Sequence, residues 1–222
     1  MLNLHTHLLP CVDDGCKTAD EALALLDELE CIGFDSTVLT PHFYPTRETS
    51  GNFIARRDRA VESFKKHCAD KNISVACECY LHEYLFNAQD ITDLCITLGN
   101  KKYLLTELSY GIFDGKHMLK LCKRLISAYK ITPVLAHIER YPYIMYNEDF
   151  FKEFLDIGCL SQVNMKSFAV PFVRKRLAYY VNNGYIRFIG TDTHRQPIDA
   201  RIYQRAADYL EKKLGKEWRT KF

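Results

Sequence analysis

Six separate stretches of this sequence carry side chains suited to holding metal ions. They are His5 and His7, His42, Glu78, Glu107, His137, and the pair Asp192 and His194. Imidazoles mixed with carboxylates and no thiolate suit a divalent cation such as manganese, iron or zinc. Residues two apart on extended chain face the same side, so His5-Thr6-His7 can present both rings to one ion. Ions that share carboxylates are a common device of phosphate-ester chemistry, where they polarise the ester and generate hydroxide near neutral pH. Arg140 lies just beyond His137, where a guanidinium can grip two phosphate oxygens. On position alone it is equally suited to an ion pair with Glu139 or another nearby carboxylate.

Taken singly, each of these residues has an ordinary explanation. His-x-His is common on surfaces, a strand-end glutamate can be satisfied by backbone donors, and Asp192-Thr193 suits a helix cap. What raises them above that background is their placement, because every one falls at or just after the end of an apolar, strand-like run. His67 and His117 fall on helical patterns and His82 beyond a strand end, so these three read as structural or surface residues.

The elements that must position the set alternate along the chain. Strands are expected at Leu2 to Leu4, Ser36 to Thr40, Ile73 to Glu78, Tyr103 to Leu108, Thr132 to His137, Leu160 to Val163 and Arg187 to Gly190. Between them, Thr18-Ala19-Asp20-Glu21 matches a capping box and opens a helix with Ala22, Leu25, Leu26 and Leu29 on one face; Gly33 stops it. Further helices are expected over Thr46 to Lys71, Lys116 to Tyr129, Asn147 to Asp156, Pro171 to Asn182 and Asp199 to Lys213. Strand–helix alternation implies parallel strands with crossover helices, hence a barrel or a doubly wound sheet. In a barrel the C-terminal strand ends converge on one face and bring distant ligands together.

Composition narrows the function further. The 222 residues carry 30 basic and 28 acidic side chains, a formal charge of +2, and 47% are hydrophobic. That is enough apolar material for a full core and too little basic excess for a dedicated nucleic-acid binder. No linker-like stretch interrupts residues 1–222, which read as one domain. The nine cysteines are odd in number and sit mostly in apolar runs, as reduced core thiols do. None has an arginine six residues later, as a thiolate phosphatase requires. Neither a Gly-x-Ser-x-Gly elbow nor a phosphate-binding P-loop is present. With no signal-like N-terminus and no apolar run of membrane length, the chain reads as cytoplasmic, without membrane insertion.

The segments carrying these residues resemble the PHP (polymerase and histidinol phosphatase) superfamily. More narrowly, they resemble its bacterial tyrosine-protein phosphatases of capsule and exopolysaccharide loci. The resemblance rests on Leu4-His5-Thr6-His7-Leu8-Leu9-Pro10 with Val12-Asp13-Asp14-Gly15, on Thr40-Pro41-His42, and on Ala76-Cys77-Glu78. Leu105 to Ser109, Pro133 to Tyr141, Gln162-Val163-Asn164 and Gly190 to His194 complete it. It implies a distorted (β/α)7 barrel with three divalent ions, usually manganese, with iron or zinc as alternatives. His5, His7, Glu78 and Asp192 would hold one ion, Glu78 bridging to a second with Glu107 and His137. Asp14, His42 and His194 would hold the third, and Arg140 would engage phosphate. The implied substrate is phosphotyrosine on a protein, the tyrosine-rich tail of a bacterial tyrosine kinase. Phe43, Tyr44, Tyr110 and Phe113 are candidates to line a peptide groove. Alternatives are a PHP phosphoesterase of small phosphomonoesters or nucleic-acid ends, and a non-catalytic binding module. Two departures stand out. Asn3 replaces an aspartate expected to orient a ligand histidine, and Cys77 and Cys79 flank Glu78, where they could favour zinc or oxidation.

Overall fold

The computed structural model describes residues 1–88, 90–110 and 115–222. Strand β1 (Leu2–Asn3) pairs in parallel with β2 (Ser36–Leu39), and β2 with β4 (Ile73–Val75). The run from β2 continues after Pro41 as β3 (His42–Phe43), and that from β4 continues as β5 (Glu78–Tyr80). From there the order runs β3, β5, β7 (Lys101–Glu107), β8 (Ile131–Leu135), β9 (Leu160–Asn164) and β10 (Phe188–Gly190), all parallel. β10 returns to the first strand. The Leu4 amide donates to the Ile189 carbonyl, the Asp192 amide donates to the His5 carbonyl at 2.8 Å, and Thr6 bridges Thr193 in parallel. The sheet thus curls into a distorted (β/α)7 barrel.

Helices α1 (Ala19–Cys31), α2 (Ser50–Lys65), α3 (Gly115–Tyr129), α5 (Glu148–Asp156), α6 (Pro171–Asn182) and α7 (Ala200–Leu214) follow the strands, with a short α4 (Pro142–Met145) after β8. α1 forms as its capping box dictates. The Thr18 hydroxyl accepts from the Glu21 amide, and the Glu21 carboxylate accepts from the Thr18 amide. The distortion has a local cause. The crossover from β5 to β7 carries 3-10 turns at Glu83–Asn87 and Thr92–Leu94 and an antiparallel strand β6 (Ile96–Leu98) in place of a long helix.

The core is legible from its parts. Leu4, Val38, Ala76, Leu105, Val134 and Ala136, from or just beyond five of the strands, form a packed layer, with Leu160 and Phe188 of β9 and β10 against it. The larger apolar cluster fills the space between sheet and helices, with Phe34, Phe53, Phe154, Phe168 and Trp218 fully buried. Among the described residues no helix is long and apolar enough to cross a membrane.

Several expectations are corrected. The helix expected over Thr46 to Lys71 is Ser50–Lys65, because Thr49 takes the cap and accepts from the Asn52 amide. The strand expected to run unbroken to Glu78 is interrupted at Ala76-Cys77, and β6 and α4 were not foreseen. All nine cysteines are free thiols, seven of them buried.

Gly190 closes the barrel where there is no room for a side chain. A Cβ there would lie 2.7 Å from both His5 Cβ and Gln162 Nε2. Gly190→Ala should cost about 1–3 kcal/mol by overpacking, seen in calorimetry as a Tm several degrees lower. An unchanged Tm would mean that β1 and β9 yield without cost.

Candidate metal centre

Every expected ligand stands at the C-terminal end of the barrel. Extended chain after β1 carries the His5 and His7 rings inward together, Nε2 to Nε2 at 3.0 Å. The β3–β5 register sets His42 directly beside Glu78, and the β5–β7 register sets Tyr80 beside Glu107. His137 and Asp192 are placed by strained backbone, with φ of +31° and +53° respectively. Non-glycine residues held in the left-handed region cluster at functional sites, where the surrounding structure enforces them.

Glu78 is the hub. Its Oε2 lies 3.1 Å from His5 Nε2, 3.3 Å from His7 Nε2 and 3.1 Å from His42 Nδ1, and its Oε1 lies 2.8 Å from His137 Nε2. Asp192 Oδ1 sits 3.5–3.7 Å from the rings of His7, His5 and His194. Asp14 approaches His194 Nε2 at 3.4 Å and His42 Nε2 at 3.8 Å. Three overlapping groups have ligand atoms close enough to share an ion: His7, Asp14, His42 and His194; His5, His7 and Asp192; and His42, Glu78 and Glu107. The sharing differs from that implied by the resemblance. His42 stands with Glu78 and Glu107 as well as with Asp14, and His7 stands with Asp14, His42 and His194 as well as with His5 and Asp192.

The donor set fits divalent ions on a structural observation. His42 Nδ1, Glu78 Oε2 and Glu107 Oε2 are buried and have no hydrogen-bond partner. His42 Nδ1 lies 3.1 Å from Glu78 Oε2 and 4.0 Å from Glu107 Oε2, so the three converge on one point. Buried lone pairs aimed at one another are costly unless a cation stands among them. Oxygen and imidazole nitrogen without thiolate is the set expected for manganese, iron or zinc.

The electrostatics agree. Burial opposes the Glu78 charge, yet His5 and His137 outweigh it and hold the carboxyl well below its ordinary range. Glu107, pushed by burial and then by the Glu78 charge, rises to about 7. Burial likewise opposes the Asp192 charge, but His5, His7 and Arg140 hold its carboxyl down.

A second layer holds the rings, and here the sequence reading missed residues. Gln162 Oε1 faces His5 Nδ1 at 3.2 Å and accepts from the His137 amide at 2.8 Å, while Gln162 Nε2 donates to Asn164 Oδ1. The Gln162-x-Asn164 spacing at a strand end was the available signal. Asp13 Oδ2 bonds His7 Nδ1 at 2.7 Å and accepts from the His42 amide. The 13–15 loop is tight enough that a Cβ on Gly15 would strike the His7 carbonyl. Burial would raise the Asp13 carboxyl, but His7 outweighs it and lowers it to about 2.

Asn3 Oδ1 accepts from the Thr191 amide at 3.0 Å and the His5 amide at 3.4 Å, and its Nδ2 donates to Thr191 Oγ1, so it holds His5 through backbone while Gln162 faces the His5 ring. Cys77 and Cys79 do not reach the ligands. Pleating turns them away from Glu78, and their thiols donate to the Leu94 and Tyr80 carbonyls. Arg140 pairs with Asp192 Oδ2; Glu139 instead accepts from the Asn164 amide and the Ser167 hydroxyl. Tyr110 brings its hydroxyl to the His137 ring, Tyr44 stacks on His42, and Phe43 is buried against Phe53. Phe113 lies outside the described residues. His82 caps a 3-10 turn away from the cluster, accepting from the Tyr84 amide.

The family model for capsular polysaccharide synthesis, CpsB/CapC, matches residues 1–222. The chain is 29% identical over 231 residues to the tyrosine-protein phosphatase CpsB of Streptococcus pneumoniae, covering 97% of this chain and 91% of that protein. Crystal structures of YwqE from Bacillus subtilis and CpsB from Streptococcus pneumoniae, described as unique metal-dependent tyrosine phosphatases, share its fold. The TM-score there is 0.77 at 23% identity, over 98% of this chain and 89% of the other. Histidinol phosphate phosphatase from Lactococcus lactis, solved with zinc, L-histidinol and phosphate, matches at a TM-score of 0.55 and 14% identity, over 95% of this chain and 92% of the other.

If Asp13 orients His7 as a ligand, Asp13→Asn should weaken manganese binding by about 10- to 100-fold in calorimetric titration of chelated protein. Unchanged affinity in a folded variant would show that Asp13 does not orient His7 for metal binding.

Proposed function

The chain belongs to the CpsB/CapC family of capsular polysaccharide synthesis, and from that premise we propose that it is a metal-dependent protein-tyrosine phosphatase. The observation that carries the reading is the buried group of His42 Nδ1, Glu78 Oε2 and Glu107 Oε2 without hydrogen-bond partners, in the same cluster as Asp192, which holds a partly exposed arginine. We assign His5, His7, Asp14, His42, Glu78, Glu107, His137, Asp192 and His194 as ligands of a cluster of divalent ions, manganese by preference. Bound there, such ions supply Lewis acidity toward phosphoryl oxygens and lower the pKa of water.

The chain's own residues supply position and charge. Arg140 is tethered on one side by Asp192 Oδ2, and its side chain keeps 41% of its exposure. A second contact joins it to Tyr110, and a guanidinium exposed to this extent can bind phosphate oxygens and take up charge in the transition state. Tyr110, half exposed and within 3.2 Å of the His137 ring, offers an aromatic face to a substrate ring. A phenolate is a fairly good leaving group, so the reaction makes little demand on a general acid. We take the substrate to be the phosphorylated tyrosine-rich tail of a bacterial tyrosine kinase governing polysaccharide export, reached from the cytoplasm.

With manganese, the protein should release phosphate from a phosphotyrosyl peptide, and EDTA should stop it. Arg140→Ala should lower kcat/KM by about 100-fold or more, and His137→Ala should lose activity together with bound metal. If the metal-replete protein leaves the peptide intact but hydrolyses histidinol phosphate or another small phosphomonoester, the tyrosine-phosphatase reading fails.

A further inference from the structure

Beside the metal centre, a line of stacked groups leads away from the ligands to an unpaired cation. The Tyr44 ring stacks on His42 with centroids 5.3 Å apart, and the Arg47 guanidinium lies over the other part of that system, 4.4 Å from the Tyr44 centroid. The Arg47 amide donates to the Tyr44 carbonyl, which fixes the turn between them. Among the described residues no carboxylate comes within ion-pair distance of Arg47. Its neighbour Arg56, by contrast, is consumed by Glu48 and the Val12 carbonyl.

Arg47 stands where two cavities meet. One, about 330 Å³, opens onto Asp14 and His42 and is bounded by Tyr44, Arg47 and Arg56. The other, about 370 Å³, runs on from Arg47 past Phe43, Pro45, Tyr84, Leu85 and Ala88. Together they make a groove with the metal centre at one end, an apolar floor at the other and a guanidinium at the junction.

Resting on the tyrosine-phosphatase reading, we propose that this groove is a substrate subsite in which Arg47 reads an anionic side chain close in sequence to the phosphotyrosine. An extended peptide advances about 3.3 Å per residue. A guanidinium one aromatic ring removed from His42 therefore meets a residue a few positions from the phosphotyrosine. The stack on Tyr44 holds the planar cation in place before substrate arrives, which reduces the ordering cost of binding. The recognised group is a carboxylate or a second phosphotyrosine. The latter would also place an aromatic ring on the apolar floor between Phe43 and Leu85.

The test uses metal-replete protein and phosphotyrosyl peptides identical except at one flanking position, scanned over three residues on either side. That position carries glutamine, glutamate or a second phosphotyrosine. At one or more positions kcat/KM should rise about tenfold for the anionic peptides, mainly through KM. The arm with the larger rise identifies which anion the groove takes. Arg47→Gln should erase the preference, and Arg47→Glu should reverse it. Arg47 is exposed, so Tm should not move in either variant. Equal kcat/KM for all peptides, or a preference that survives both substitutions, would overturn the subsite alone. No hydrolysis of any peptide would overturn the tyrosine-phosphatase reading, and the subsite with it.

Discussion

A carboxylate buried at the centre of a protein must be met by positive charge or give up its own. Glu78 is fully buried, and ionised burial without compensation is far too costly to persist. The surrounding chain answers with imidazoles rather than lysine or arginine: His5, His7, His42 and His137 all point nitrogen at its two oxygens. Imidazoles can release protons and become neutral donors, which a permanently charged guanidinium cannot do. The same arrangement therefore fits either protons or metal ions. Burial, and then the charge on Glu78, raises Glu107 to about 7, so near neutral pH its carboxyl sits between its two protonation states. The barrel geometry brings these groups to one point, where divalent ions would offset the buried carboxylates.

That convergence is bought with strain and small residues at the seams. His137 and Asp192 adopt left-handed backbone, and Gly190 lets β10 lie against His5 without a side chain between them. Gln162 then locks two distant ligands in one contact, facing the His5 ring and holding the His137 amide. The strands below contribute a mainly apolar layer, apart from the polar cluster at their C-terminal ends.

Much of this was legible in sequence because ligands must stand at strand ends, and strand ends are marked by apolar runs. Leu2 to His7, Val38 to His42 and Phe188 to His194 each read as a strand followed by donors, and the structure places them so. The α1 capping box was legible for the same reason, since its signal is wholly local. What was hidden depends on contacts between segments. The break at Ala76-Cys77 and the antiparallel β6 are set by pairing with β7, which no local pattern reveals. The importance of Gln162 depends on what β8 and β1 bring to it. Cys77 and Cys79 misled through proximity in sequence, because in a strand the nearest neighbours of a ligand point the opposite way.

Asp192 joins the histidine cluster directly to Arg140. One oxygen faces the rings of His5, His7 and His194, and the other faces Arg140 and the Asn164 amide group. A single carboxylate thus fixes Arg140, which we propose binds phosphate, relative to the proposed ligand cluster with no flexible link between them. Glutamate at this position would carry the same charge on a longer arm and shift the guanidinium outward. Asparagine would keep the length but replace one acceptor with a donor that faces either the rings or the arginine. Neither substitution can serve both sides. The left-handed backbone at residue 192 is tolerated because the Asp192 amide is already committed to the His5 carbonyl across the seam. Barrel closure, ligand placement and arginine placement therefore meet in one residue.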